Sequence, residues 1–175
     1  MKNAKLTYSM ILLAGALWCG AIVLAPVLAA SSGTAGEAGR LLYAFFSPIC
    51  HQLEGRSFTI CGNSFGVCAR CSAIYFGFFM GTLIFPFVRN VGKAALPRRR
   101  FLLIACVPVI IDAFPWRFGV YEATLTTRAV SGGIVGIVLA FFIIPAAVQA
   151  VAELTAVSSL TFHQQKGISD ATETR

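Results

Sequence analysis

The feature that most constrains this chain is an unbroken run of 23 residues, 7–29, without a charged side chain. At about 1.5 Å of rise per residue, a helix of that length covers the roughly 30 Å hydrocarbon core of a bilayer. A secretory signal is the rival reading, because Lys2 and Lys5 precede the run and Val27, Leu28 and Ala29 resemble a small-residue cleavage site. The hydrophobic segment of a signal spans roughly 7 to 15 residues, so the length favours a retained membrane helix. Three more apolar runs follow at 72–88, 101–116 and 129–151, and the middle one of these carries a single acid, Asp112. The chain is 57% hydrophobic and 12% charged over 175 residues, which leaves no room for a separate soluble catalytic domain. The expectation is an all-α, polytopic helical membrane protein. One membrane domain, 1–151, holds about four transmembrane helices, and a moderately polar cytoplasmic tail, 152–175, follows it and ends in a frayed segment, 169–175. Pro86, Pro108, Pro115 and Pro145 fall in or at the ends of the runs and predict kinks.

A formal net charge of +7 in a soluble protein would raise the question of nucleic acid. Here the lipid bilayer is the expected partner and no nucleic acid is, because membrane proteins concentrate Lys and Arg in their cytoplasmic loops. With four spans and both ends on one face, Lys2, Lys5, Arg89, Lys93, Arg98, Arg99, Arg100, Lys166 and Arg175 share a side. Arg40, Arg56, Arg70, Arg117 and Arg128 fall on the other, so both termini are expected in the cytoplasm. The dense group at 89–100 reads as a topology anchor. Gly77-x-x-x-Gly81 and Gly132-x-x-x-Gly136 have the small-residue spacing of close helix packing. They fit packing within one chain, or else a homodimer or membrane complex built through glycine-rich faces.

The first outer loop, 30–71, opens on a small-residue run at 31–36 that reads as flexible. Leu41, Leu42, Phe45, Phe46 and Ile49 then recur at helical spacing on a segment too short to span, which predicts a short interfacial helix ended or bent by Pro48. Beyond it lie Cys50, His51 and Gln52, then Glu54, Arg56 and Ser57, then Cys61, Cys68, Arg70 and Cys71. Cys19 and Cys106 sit inside spans, where a thiol is a small apolar filler. His163 in the tail is expected to be solvated.

Cys68-Ala69-Arg70-Cys71 is a C-x-x-C at the start of a span, and two chemistries use that spacing. Thiolates and an imidazole hold zinc or another transition metal at about 2.0 to 2.3 Å, with C-x-x-C as half of a four-ligand set. Adjacent residues seldom ligate one ion, so Cys50 or His51 would be the third ligand, with Cys61 making up the count. Alternatively Cys68 and Cys71 cycle between dithiol and disulfide, with Arg70 favouring the thiolate and Cys50 and Cys61 exchanging with them. Plain structural disulfides are the third reading, since an even number of cysteines facing an oxidising compartment is often simply stapled.

Asp112, near the outer end of its run, is a functional candidate because ionisable groups inside spans are costly. Arg70, Arg117 or Arg128 could hold it as an ion pair. Glu122 and Arg128 complete a polar set that could converge on the cysteine loop, and Trp116 and Tyr121 suit an interface belt.

Cys50-His51-Gln52, Arg56-Ser57-Phe58, Cys68-Ala69-Arg70-Cys71 and Ile74-Tyr75-x-Gly77, with an Asp in the next span, resemble the bacterial membrane proteins grouped as domain of unknown function 2085. The resemblance covers roughly 45–136 and implies a fold and a site, with no reaction attached. It points to Cys50, His51, Gln52, Arg56, Ser57, Cys68, Arg70, Cys71 and Asp112, and it leaves Cys61 outside the pattern. The metal set it favours is Cys50, His51, Cys68 and Cys71. The sequence is thus read as a small bacterial inner-membrane protein with a Cys/His site on its periplasmic or extracellular face, zinc-like and structural or binding in role. The rivals are a quinone-linked thiol-disulfide oxidoreductase using Cys68 and Cys71, by analogy of fold, and a transporter or accessory subunit.

Overall fold

A computed structural model describes the backbone of residues 2–92, 95–117 and 124–173, and the side chains of 3–92, 95–112 and 124–157. Within them the chain forms five α-helices: α1 (Lys2–Ala29), α2 (Thr34–Phe46), α3 (Ala69–Val88), α4 (Arg99–Arg117) and α5 (Leu125–Glu173). Between α2 and α3 lie a single 3₁₀ turn, Glu54–Arg56, and a hairpin of β1 (Thr59–Ile60) and β2 (Asn63–Ser64). The hairpin is a small departure from a purely helical reading. Its strands pair antiparallel, Thr59 opposite Ser64 and Ile60 opposite Asn63. Cys61 and Gly62 form the two-residue turn, both at positive φ (52° and 76°), as a tight hairpin with the native strand twist demands.

The helices α1, α3 and α5 each contain a stretch long and apolar enough to cross a membrane: Asn3–Ala29, Ala69–Val88 and Leu125–Val157. They carry the expected runs 7–29, 72–88 and 129–151. The remaining run, 101–116, lies on α4, whose side chains are described only as far as Asp112. The outer surfaces are what a lipid-facing bundle requires. Leu13, Phe87, Ile104 and Val130 stand exposed, Phe87 at 89%. The helices run on through Pro86, Pro108, Pro115 and Pro145.

The principal helix pair is α3 with α5; α1 packs on both, α2 on α1, and α4 on α5. Glycines make the central pair possible. A Cβ at Gly77 would stand 2.5 Å from the carbonyl oxygen of Gly133, and one at Gly136 would meet the carbonyl oxygen of Ile74. Gly81 lies as close to Ile137 and Ala140, and Gly132 to Arg70. The close backbone approaches at both glycine pairs are thus made within one chain. Phe85, Ala140 and Ile144 form the buried core toward the far end of α3, and Ile22, Phe46, Val67 and Cys50 form another beside its start.

Two local expectations change. The run read as flexible ends early, because Gly33 turns the chain at φ 74° and α2 begins at Thr34, with Glu37 in its first turn. Pro48 does end it: the last helical residue is Phe46. The end expected to fray, 169–175, is helical as far as the described residues go, since α5 continues unbroken to Glu173. From 146 to 166 there is no Pro or Gly, and residues with good helix propensity such as Ala, Leu, Gln and Glu recur.

Candidate metal centre

The site is built where the loop after α2 folds back onto the start of α3. The chain leaves α2 in a tight turn, with the N–H groups of Ile49 and Cys50 donating to the Phe46 carbonyl, each at 3.0 Å. Phe46 is fully buried, and its ring and that of Phe45 stand edge-on to Trp18 of α1. This delivers Cys50 into the core, where it is 7% exposed.

Gln52 then takes a left-handed backbone conformation (φ 51°), and its side-chain amide donates at 2.8 Å to the carbonyls of both Tyr43 and Gly66. One side chain so ties α2 to the segment that leads into Cys68. The Tyr43 hydroxyl donates to the Ser64 carbonyl, and the buried Ser57 hydroxyl donates to the Leu53 carbonyl at 2.9 Å. Two residues of the sequence motifs, Gln52 and Ser57, are thus fasteners of the loop.

Cys68 caps α3 at its N-terminus and Cys71 lies one turn along, so both sulfurs sit at the positive end of a helix dipole. The Cys68 N–H donates to the Cys50 sulfur at 3.2 Å. One ligand atom from each of Cys50, Cys68 and Cys71 lies within 4.8 Å of the other two. The Cys71 thiol donates to the Cys68 sulfur, and the N–H groups of Cys71 and Arg70 and the Cys50 thiol add to that effect. Against the cost of burial they pull the Cys68 thiol down to about 5, which makes it a thiolate at neutral pH. All six cysteines are free thiols.

The structure brings together three of the expected ligands. His51, though next to Cys50, is exposed and contributes no atom to the group. The reason is local: Cys50 turns inward, and the left-handed Gln52 that follows sends its own side chain inward, leaving the intervening residue outside. Cys61 is exposed at the hairpin tip and also stands apart. Cys19 is buried in α1, as a filler would be.

Arg70 forms an ion pair with Asp112 of α4, with side-chain exposures of 20% and 7%. Arg70 Nε and Asp112 Oδ1 are buried without a further hydrogen-bond partner among the described residues. Arg128 on α5 is 8% exposed and lies in the field of Arg70, Arg56, Asp112 and Cys68. Of the polar set expected around the cysteines, Arg70, Asp112 and Arg128 gather beside Cys68. The side chains of Trp116, Arg117, Tyr121, Glu122 and His163 lie outside the described residues.

Trp18 and Tyr75 are not among the expected site residues, yet both pack on the buried cluster that holds Cys50, and their ring centroids are 5.6 Å apart. Tyr75 was signalled by the Ile74-Tyr75-x-Gly77 motif; Trp18, on the first span, had no local signal. Below them an apolar cavity of about 400 Å³ opens between α1, α3 and α5, lined by Trp18, Tyr75, Phe78, Ile11, Leu139 and Ile143.

Residues 50–159 match the family described as predicted membrane protein (DUF2085). An uncharacterized protein of Methanocaldococcus jannaschii is 38% identical over 104 residues, covering 59% of this chain and 67% of that protein. An uncharacterized protein of Methanothermobacter thermautotrophicus is 32% identical over 98 residues, covering 54% of this chain and 84% of that one. No solved structure matches the chain. The similar proteins are archaeal, so the expectation of a bacterial source and a bacterial inner membrane finds no support in them.

Proposed function

The chain belongs to the DUF2085 family of predicted membrane proteins, and from that premise we propose that its Cys50, Cys68 and Cys71 thiolates hold one metal ion, zinc or another transition metal. The observation that carries this reading is the convergence of three sulfurs within 4.8 Å, two of them at a helix N-terminus and one accepting a backbone N–H. Thiolates about 2.3 Å from a common ion lie roughly 3.8 Å from one another, which the cluster reaches with small side-chain shifts. Backbone donors to sulfur are the outer-shell support that holds such ligands in place. The role is structural or binding: the ion clamps the loop after α2 onto α3.

The wider reading is a four-span protein in which α4 is the remaining span and α2 lies along the membrane surface. Exposed Leu41, Phe45 and Ile49 beside buried Phe46 support a half-immersed α2. The basic residues at 89–100 support a cytoplasmic α3–α4 loop, with both termini cytoplasmic and the cysteine site on the outer face.

The test is metal content of the detergent-purified protein by mass spectrometry, with thiols counted before and after denaturation, for wild type and Cys68→Ser. About one ion per chain in wild type, lost in the variant, is the expected result. No metal, with thiols appearing only after reduction, would remove this reading.

One observation favours a second reading. The apolar cavity is lined by Trp18 and Tyr75, rings that pack on the cluster holding Cys50, and would accept a quinone ring close to Cys68 and Cys71 as the oxidant for their disulfide. Both thiols would lose their hydrogens, and two electrons and two protons would pass to the quinone to give the quinol. The same thiol count separates the two.

A further inference from the structure

The inference below rests on the metal reading and concerns what that ion would present to the outside. Among the described residues, three donor atoms converge and no fourth His, Cys, Asp or Glu atom joins them. The two nearest candidates by sequence are both exposed: His51 on the outer side of its turn, and Cys61 at a hairpin tip. A structural zinc site is closed by four protein ligands, whereas three leave a position for an exogenous one.

Access and charge agree. Cys50 is buried, but Cys68 and Cys71 are only half-buried, so the cluster is not sealed. Arg128 lies in the electrostatic field of Arg70, Arg56, Asp112 and Cys68, so guanidinium groups stand beside the sulfurs. Their attraction for an anion is far larger in a partly desolvated site than in water.

We propose that a metal ion held by Cys50, Cys68 and Cys71 keeps its fourth coordination position open for a small soft anion, a thiolate foremost, drawn from outside the chain and held there by the surrounding arginines.

The experiment loads the metal-free, full-length protein in detergent with Co²⁺ and follows two absorptions: sulfur-to-cobalt charge transfer, which reports the thiolates, and the ligand-field bands, which report the whole coordination shell. Azide serves as the small-anion probe. In wild type the charge-transfer band develops, and azide shifts the ligand-field bands saturably. His51→Ala and Cys61→Ser behave as wild type. Arg128→Gln keeps the charge-transfer band and binds azide at least about tenfold more weakly, roughly 1.4 kcal/mol; Arg56→Gln provides the same test should Arg128→Gln not fold. A charge-transfer band with ligand-field bands that ignore azide would overturn the open position and leave the metal reading standing. Azide binding that appears only in His51→Ala would identify His51 as the fourth ligand and overturn it equally. A charge-transfer band that never develops would remove the metal reading itself.

Discussion

Two regions of this protein meet on α3 and are held together in opposite ways. Along its length α3 meets α5 through glycines, and the contact is defined by the side chains that are missing. At its start α3 and the segment leading into it meet the loop after α2 through sulfur and amide groups, and meet α4 through the Arg70 guanidinium and Asp112, each with a named partner. The seam tolerates no added atom at Gly77, Gly81, Gly132 or Gly136, while the sulfur end tolerates substitution but loses a specific interaction each time. They are also coupled. Gly132 of α5 packs against the Arg70 carbonyl, within the C-x-x-C itself, so the seam sets where the sulfurs lie. A seam defect should therefore cost both fold and chemistry, and a defect at the sulfur end should cost chemistry first.

The largest effect is expected from Gly136→Leu. Its Cβ would run into the Ile74 carbonyl oxygen and its remaining atoms into the α3 backbone, which cannot swing aside as a side chain can. Overpacking of this kind costs about 1 to 3 kcal/mol or more. We expect loss of monodisperse protein in detergent, and loss of bound metal with it. Gly20→Ala is the control, since nothing lies within 4 Å of a Cβ there. If Gly136→Leu folded and kept its metal, the coupling of seam to site would be wrong.

Next comes Asp112→Ala. Removing it strands the Arg70 guanidinium, which is 20% exposed, at the end of a membrane span. Stranding one partner of a buried ion pair costs about 3 to 5 kcal/mol, and the residual exposure of Arg70 places this case at the lower end. The melting temperature should fall clearly, and Asp112→Asn, which keeps an acceptor, should recover part of it. A double-mutant cycle with Arg70→Gln separates the pair's coupling from the cost of each truncation. An unchanged melting temperature for Asp112→Ala would mean that α4 is held by α5 alone.

What the sequence made legible follows this division. The apolar runs mark the helices because a bilayer permits no other use of so many uncharged residues. The glycine spacings marked the seam, since in a membrane close backbone approach replaces the hydrophobic effect as the packing signal. Cys68 and Cys71 were legible as a pair because helical periodicity places both on one turn. His51 was not legible as an outsider. Which way it faces depends on a left-handed Gln52 whose side chain bridges Tyr43 and Gly66, and contacts of nine and fourteen residues leave no local signature. The Cys61-Gly62 turn could have been read from its glycine, but a cysteine at positive φ is uncommon enough to hide it. Trp18 is separated from the motifs by more than 30 residues, and its place beside the cysteines emerges only once α1 packs on α3.

A subtler effect concerns the sulfur end without metal. The Cys71 thiol and the helix N–H groups hold the Cys68 thiol near 5, below its ordinary value. The sign is that of a depressed acid: the thiolate dominates above about pH 5 and is lost as pH falls through it. Alkylation of Cys68 by iodoacetamide, located by peptide mass spectrometry, should thus be nearly constant from pH 6 to 8. A free cysteine peptide, with its pKa near 8.5, gains about tenfold per unit over most of that range. A Cys68 rate rising in parallel with the peptide's would show that the thiol network is not formed in the metal-free protein.

The smallest expected effect is also the one that best isolates the sulfur trio from its neighbours. Cys61 occupies the first position of a two-residue turn at φ 52°, a conformation a non-glycine residue adopts at a cost of about 1 to 2 kcal/mol. Asn tolerates it better, and Asn-Gly is the preferred pair for such a turn. Cys61→Asn should therefore leave the metal content unchanged and raise the melting temperature, by about 1 to 3 °C for a chain of this size. The substitution removes a thiol and improves a turn at once, so the two readings of Cys61 predict opposite signs. As a ligand, it would take metal and stability away together. As a turn residue outside the cluster, it gives back a little strain and nothing else changes. A fall in metal content on Cys61→Asn would bring a fourth sulfur into the site, close the coordination position argued above, and erase the distinction between the sulfurs that converge and the one that does not.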